Sequence, residues 1–131
     1  MLKGKKLLWS LLFATLLICA ACSDDSAKEK ASDVDYKTVL DEKFAKTEQR
    51  QIRVTTEATD KKDFEAITEE LMDQYKGKGL DSIHLYIHSP ADRESDKKFG
   101  KFKAHSFIAL TTKGAIQTGL EKADTYKIET E

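Results

Sequence analysis

Beyond Cys22 the chain holds no cysteine. Proline occurs once in 131 residues, at Pro90, and glycine six times. Collagen-like and low-complexity chains need far more of both, so those classes are excluded. Long apolar stretches are also missing outside the first 21 residues, and with 34% of residues charged a polytopic membrane protein is excluded. The few glycines build no phosphate loop: Gly77-Lys78-Gly79 and Phe99-Gly100-Lys101 lack the spacing and the strand-to-helix setting. A basic excess is absent as well. Of 22 Lys and Arg, three lie before Cys22, which leaves 19 against 23 Asp and Glu and a net charge of about −4 on the remainder. Nucleic-acid affinity comes from clustered Lys and Arg, so no nucleic-acid partner is expected. The length suits a single domain.

What is present begins with an address. Lys3, Lys5 and Lys6 precede an apolar run from Leu7 to Ile18, then Cys19-Ala20-Ala21-Cys22, then the polar Ser23-Asp24-Asp25. A basic start, a short apolar stretch and small residues at the cut describe a secretory signal peptide, here residues 1–21. As a helix, residues 7–21 span about 22 Å, short of the ~30 Å of a bilayer core.

Ala20-Ala21-Cys22 resembles the lipobox of bacterial lipoproteins, although Cys19 stands where leucine is usual. The resemblance implies that the Cys22 thiol receives a diacylglyceryl group bearing palmitate-type chains. Cleavage before Cys22 then makes it the new N-terminus. Two acyl chains at ~0.8 kcal/mol per buried CH₂ hold a protein far better than one. Cys19 would be discarded and Cys22 capped, leaving the mature protein without thiol or disulfide and so without a catalytic cysteine. The alternatives are an uncleaved N-terminal anchor, or ordinary cleavage after Ala21 with release.

Residues 22–35 form the lipidated cysteine and a tether. The segment SDDSAKEKASDVD holds one valine and no aromatic, too little to offset ordering entropy. As a flexible chain it reaches roughly 20 Å. Residues 36–131 form the single folded domain. In DKKDFEAITEELMDQYK (60–76), Phe64, Ile67, Leu71 and Tyr75 recur at helical spacing. Asp60 and Asp63 make a loose capping box, and Gly77 and Gly79 the stop. Residues 80–89 alternate, with Ile83, Leu85 and Ile87 on one side and His84, Tyr86 and His88 on the other. Further strands are expected at 37–44, around 52–56, at 102–112 and at 125–129. The first two pair through a polar turn at 46–49, and half a helical turn is expected at 115–117. The connection 90–101 reads as a long polar loop. The expected fold is α+β: a small antiparallel or mixed sheet with one main helix packed on one face and water on the other, preceded by a signal peptide and a disordered tether.

The stretches VLDEKF, IRVTTEATDKKDFEAITEELMDQYKGKGLDSIHLYIHS and DTYKIE resemble a small β-β-α-β-β domain of unknown function that recurs in bacterial lipoproteins and phage-associated proteins. Val54, Thr55, Asp81, Ile83, Leu85 and Ile87 carry the resemblance. It implies a fold but no activity, cofactor or catalytic residue.

Three histidines are present, His84, His88 and His105. His84 and His88 lie about 13 Å apart along a strand, too far for one ion at Zn–N bonds of ~2.0–2.1 Å. His84 and His105, on neighbouring strands, are the weak candidates for a metal pair, with Asp92 or Glu94 from the loop as helpers; no cofactor is expected. Ser89 and Ser106 each follow a histidine directly, and successive strand residues point to opposite faces, so neither makes a serine–base pair. The open sheet face is the candidate binding face: Arg53, His84, Tyr86, His88, His105 and Phe107, joined by Thr55 and Lys103. Aromatic and cationic groups side by side suit a sugar, a peptide or an acidic group. The expected protein is a non-catalytic lipoprotein, exported and lipid-anchored to the outer leaflet of a bacterial cytoplasmic membrane, that binds or modulates an envelope protein or small ligand. The alternatives are a metal- or carboxylate-dependent envelope hydrolase and a phage-type exclusion lipoprotein acting on a membrane protein.

Overall fold

The computed structural model describes residues 34–131. The expected signal peptide, Cys22 and most of the tether lie outside the described residues. The elements are β1 (Lys37–Lys43), β2 (Gln49–Thr55), α1 (Lys61–Tyr75), β3 (Ser82–His88), β4 (Phe102–Ala109), α2 (Thr112–Thr118) and β5 (Thr125–Thr130). The strands lie in the sheet in the order β1-β2-β3-β4-β5. The pair β2–β3 is parallel and every other neighbouring pair antiparallel. A parallel pair needs a crossover longer than a hairpin, and α1 supplies it. The result is a small mixed sheet with helices, as the α+β pattern implies. Among the described residues no helix is long and apolar enough to cross a membrane.

Strict alternation decides which face of the sheet is dry. Cross-strand rows set Ile52 beside Leu85 and Ser106, and Val54 beside Ile87 and Ala104. These side chains are buried, together with Ile83 and Ile108. Phe64, Ile67 and Leu71 of α1 close the same core. One polar pair is sealed within it: the Thr68 hydroxyl bonds the Phe64 carbonyl at 2.8 Å and the Ser106 hydroxyl at 2.7 Å. A buried hydroxyl left without its partner loses the full desolvation cost. Thr68→Val is therefore expected to destabilise by about 1–2 kcal/mol in urea unfolding. Adding Ser106→Ala should recover part of that loss, and a double variant no more stable than the single one would refute the pairing.

Two local expectations are corrected. Asp60 takes the extended N-cap conformation but makes no side-chain cap bond. The Asp63 and Phe64 amides reach the Asp60 backbone carbonyl instead, at 3.0 and 3.3 Å. The amide that a capping carboxylate would have taken is thus already satisfied. The second correction is α2, a helix of 7 residues where half a turn was expected at 115–117. Thr111 caps it by accepting from the Gly114 amide at 3.0 Å, and Gly119 ends it in the left-handed conformation at φ 74. The fold also holds the start of the described chain. Val34 is buried in the core, and the Thr56 hydroxyl donates to the Asp35 carbonyl at 2.7 Å.

Candidate functional site

On the face opposite α1 the same alternation lines up a second set of rows. Arg53 lies beside Tyr86, Tyr86 beside His105, and His105 beside Glu129. In the next row Gln51, His84, Phe107 and Lys127 follow one another. Tyr86 and His105 stack with ring centres 4.2 Å apart and planes at 19°. His105 meets Phe107 at 4.0 Å, and His84 sets its edge to Phe107 at 5.6 Å. Arg53 completes the row, its guanidinium 4.3 Å from the centre of the Tyr86 ring. All six residues expected on the binding face are brought together, and all except His88 are partly open to solvent.

His88 is 5% exposed because the loop after β3 folds over it. Phe99 packs on the His88 ring at 4.3 Å and lies 5.0 Å from the Arg53 guanidinium. The loop closes through bonds from the Gly100 amide to the Ser89 carbonyl at 2.7 Å and from the Ser89 amide to the Lys101 carbonyl at 2.8 Å. A side chain at position 100 would come within 2.6 Å of the Pro90 carbonyl oxygen, so this corner requires glycine. Phe99 and Gly100 belong to the site although the loop reads as polar. The signal in the sequence was a lone aromatic against a glycine in an otherwise charged stretch.

The hydrogen bonds of His88 fix its protonation. Its Nε2 lies 2.8 Å from Arg53 Nη1 and its Nδ1 3.1 Å from the Gly100 carbonyl oxygen. A guanidinium only donates and a carbonyl only accepts. The ring is therefore neutral, with the proton on Nδ1. Burial lowers its proton affinity, the Gly100 bond opposes this, and Arg53 lowers it further.

His84 Nδ1 and His105 Nε2 stand 3.2 Å apart, a bond between two neutral imidazoles. Burial lowers the proton affinity of His84. His105 is pushed down to about 4, by burial first and then by His84, while Glu129 pulls the other way and Arg53 adds to the fall. Among the described residues no group of three His, Cys, Asp or Glu is placed to hold a metal ion, so Asp92 and Glu94 do not join the two histidines in such a group.

Two further residues expected on this face leave it. The β3–β4 register shifts between Ile87 and His88. The Lys103 ammonium donates to the Thr56 and Ala58 carbonyls at 2.8 and 2.6 Å, tying β4 to the segment before α1. Thr55 is buried. Ser106 points into the core toward Thr68, away from His105, as strand alternation requires.

The ring faces within the row are occupied by one another. What the surface offers is ring edges, which carry positive partial charge, together with the Tyr86 hydroxyl and the Arg53 guanidinium.

Compared with models of known families, with curated proteins and with solved structures, the chain matches none. The resemblance to a lipoprotein-borne domain thus rests on its motif residues alone.

Proposed function

We propose that the protein is an exported lipoprotein, anchored through Cys22 to the outer leaflet of a bacterial cytoplasmic membrane, which presents its open sheet face to an envelope partner and carries out no catalysis. One observation supports the binding role above others: Arg53, Tyr86, His105, Phe107 and His84 form a contiguous ordered cluster on the face that α1 leaves open. Sheet faces turned to water usually carry separate polar side chains; a packed row of rings on such a face is the mark of a contact surface. The N-terminal sequence supplies the anchor, and the acidic, aromatic-free tether the stand-off from the lipid.

Cys22→Ala tests the anchor. The variant is expected to remain as a longer precursor and to leave the detergent-extracted lipid-modified fraction almost completely. Unchanged mass and unchanged partitioning would refute lipidation. The face is tested separately by a photo-crosslinking residue at Phe107, with the same residue at Asp73 on α1 as control. Adducts in living cells from position 107 and none from position 73 are expected. Equal yields from both positions would refute a dedicated face.

A further inference from the structure

We infer that Arg53 anchors a site for a singly charged carboxylate carried on an apolar or aromatic body, an inference that rests on the open sheet face being a binding surface. The chain has three arginines, Arg50, Arg53 and Arg93. Arg50 is neutralised by Asp41 at 2.7 Å. Arg53 has no carboxylate partner among the described residues, in a body where acids outnumber bases. Its position is nevertheless fixed from three sides, by the Tyr86 ring, the Phe99 ring and the His88 ring nitrogen. A long cation held this way has already given up the rotamer freedom that binding would otherwise cost.

The free end of the guanidinium suits an oxyanion. Only Nη1 is engaged, by His88. Nε and Nη2 have no partner among the described residues and are not among the sealed, unpartnered atoms, so they reach solvent. The Tyr86 hydroxyl is in the same condition beside them. Two parallel N–H donors match the two oxygens of a carboxylate, and the hydroxyl adds a third donor. A stacking sugar or base finds no vacant ring faces within the row, because Tyr86, His105 and Phe107 already cover one another.

Charge matching selects a monoanion. The histidines are neutral, the Lys103 ammonium is spent on two backbone carbonyls, and Lys127 pairs with Glu129 at 3.1 Å. One positive charge remains, among rings. A dianionic phosphate would bring a second charge with nothing to meet it, whereas a carboxylate next to an apolar group places its charge on Arg53 and its body against Tyr86 and Phe99.

The test uses the full-length chain in detergent micelles, observed by the arginine Nε–H signals in ¹H–¹⁵N NMR. Phenylacetate is expected to shift the Arg53 signal saturably, with a dissociation constant of about 1–10 mM as befits one ion pair with small apolar contact. Phenylacetamide, which has the same body without the charge, should need at least ~10-fold more. Followed through backbone amides, phenylacetate should lose saturable binding in Arg53→Gln and weaken about threefold or more in Tyr86→Phe, which keeps the ring. Arg53→Lys keeps the charge without the fork and should also bind weakly; it is the control should Arg53→Gln disturb the fold. An equal response to phenylacetamide, saturation in a well-folded Arg53→Gln, or tighter saturation by inorganic phosphate would each overturn the inference. If phenylacetate fails while crosslinks from position 107 persist in cells, the ligand class is wrong and the contact face stands. Loss of both removes both.

Discussion

Gly114→Ala is expected to destabilise the domain by about 3 kcal/mol or more, by overlap with backbone that cannot move aside. α2 lies on the start of β3 so closely that a β-carbon at position 114 would overlap the Asp81 carbonyl oxygen and carbon, with the Ser82 amide nitrogen at 3.3 Å. Asp81 is held from several directions. Its amide donates to the Glu48 carbonyl at 2.7 Å and its carbonyl accepts from the Leu110 amide at 2.8 Å. Its carboxylate accepts from the Thr111 hydroxyl at 2.6 Å. Relief of the overlap therefore requires lifting α2, which opens Ala115 and breaks the bridge from Ser82 to Gln117 at 2.8 Å. Net stability for a domain is about 5–15 kcal/mol, so the loss is a large share of the total. Gly119→Ala is the matched control. Gly119 sits at φ 74 with nothing within 4 Å of an added β-carbon, so it should cost only about 1–2 kcal/mol of left-handed backbone strain. Urea unfolding of the two variants separates them, and a Gly114→Ala no less stable than Gly119→Ala would disprove the close packing.

That helix marks where the sequence stops speaking. Most elements are legible because burial follows one period. Ile83, Leu85 and Ile87 alternate and are all buried, and Phe64, Ile67 and Leu71 recur at helical spacing and are all buried. In α2, Thr112, Gly114 and Thr118 are poor helix formers, and Ile116 is 80% exposed, so neither propensity nor period announces it. Gly114 reads as a turn residue and acts as a contact residue; only the approach of β3 makes the difference. The parallel pairing of β2 and β3 follows from α1 as a crossover, but the sequence leaves antiparallel and mixed sheets equally open.

The candidate site divides in the same way. Alternation places Arg53, His84, Tyr86, His105 and Phe107 on one face, and the structure adds the register that sets them in contact. His88 obeys the alternation yet is buried, because burial depends on a loop whose path is set by Phe99 and Gly100. Lys103 departs because the register slips one residue beyond Ile87, a shift that no side-chain pattern encodes.

Acid is expected to weaken the fold between pH 6.5 and about 4, with His105 the largest single contributor outside the carboxylates. The groups that face its ring are His84, Tyr86, Phe107, Arg53 and Glu129. Of these only Glu129 favours a proton on the ring, and it is outweighed: burial, His84 and Arg53 together hold the folded value to about 4, against 6.5 for the free side chain. In that interval the unfolded chain binds the proton and the folded chain does not, so stability falls as pH falls. The contribution is whole above about 6.5 and gone at about 4. One pKa unit corresponds to roughly 1.4 kcal/mol, but the ring is partly open to water, which screens it, so the loss attributable to His105 is about 1–2 kcal/mol. His84 and His88 act in the same direction. Protonating His88 also sets two donors against each other at Arg53 and releases the Gly100 corner, so the loop over Phe99 should loosen across the same interval. Urea midpoints of the wild type should fall steadily from pH 7 to pH 4.5. His105→Phe, which keeps a ring in the row and removes the titration, should fall less. An imidazole signal of His105 titrating near 6.5, or a wild-type midpoint flat between pH 7 and pH 5, would show that the rings are not held neutral by the packing described.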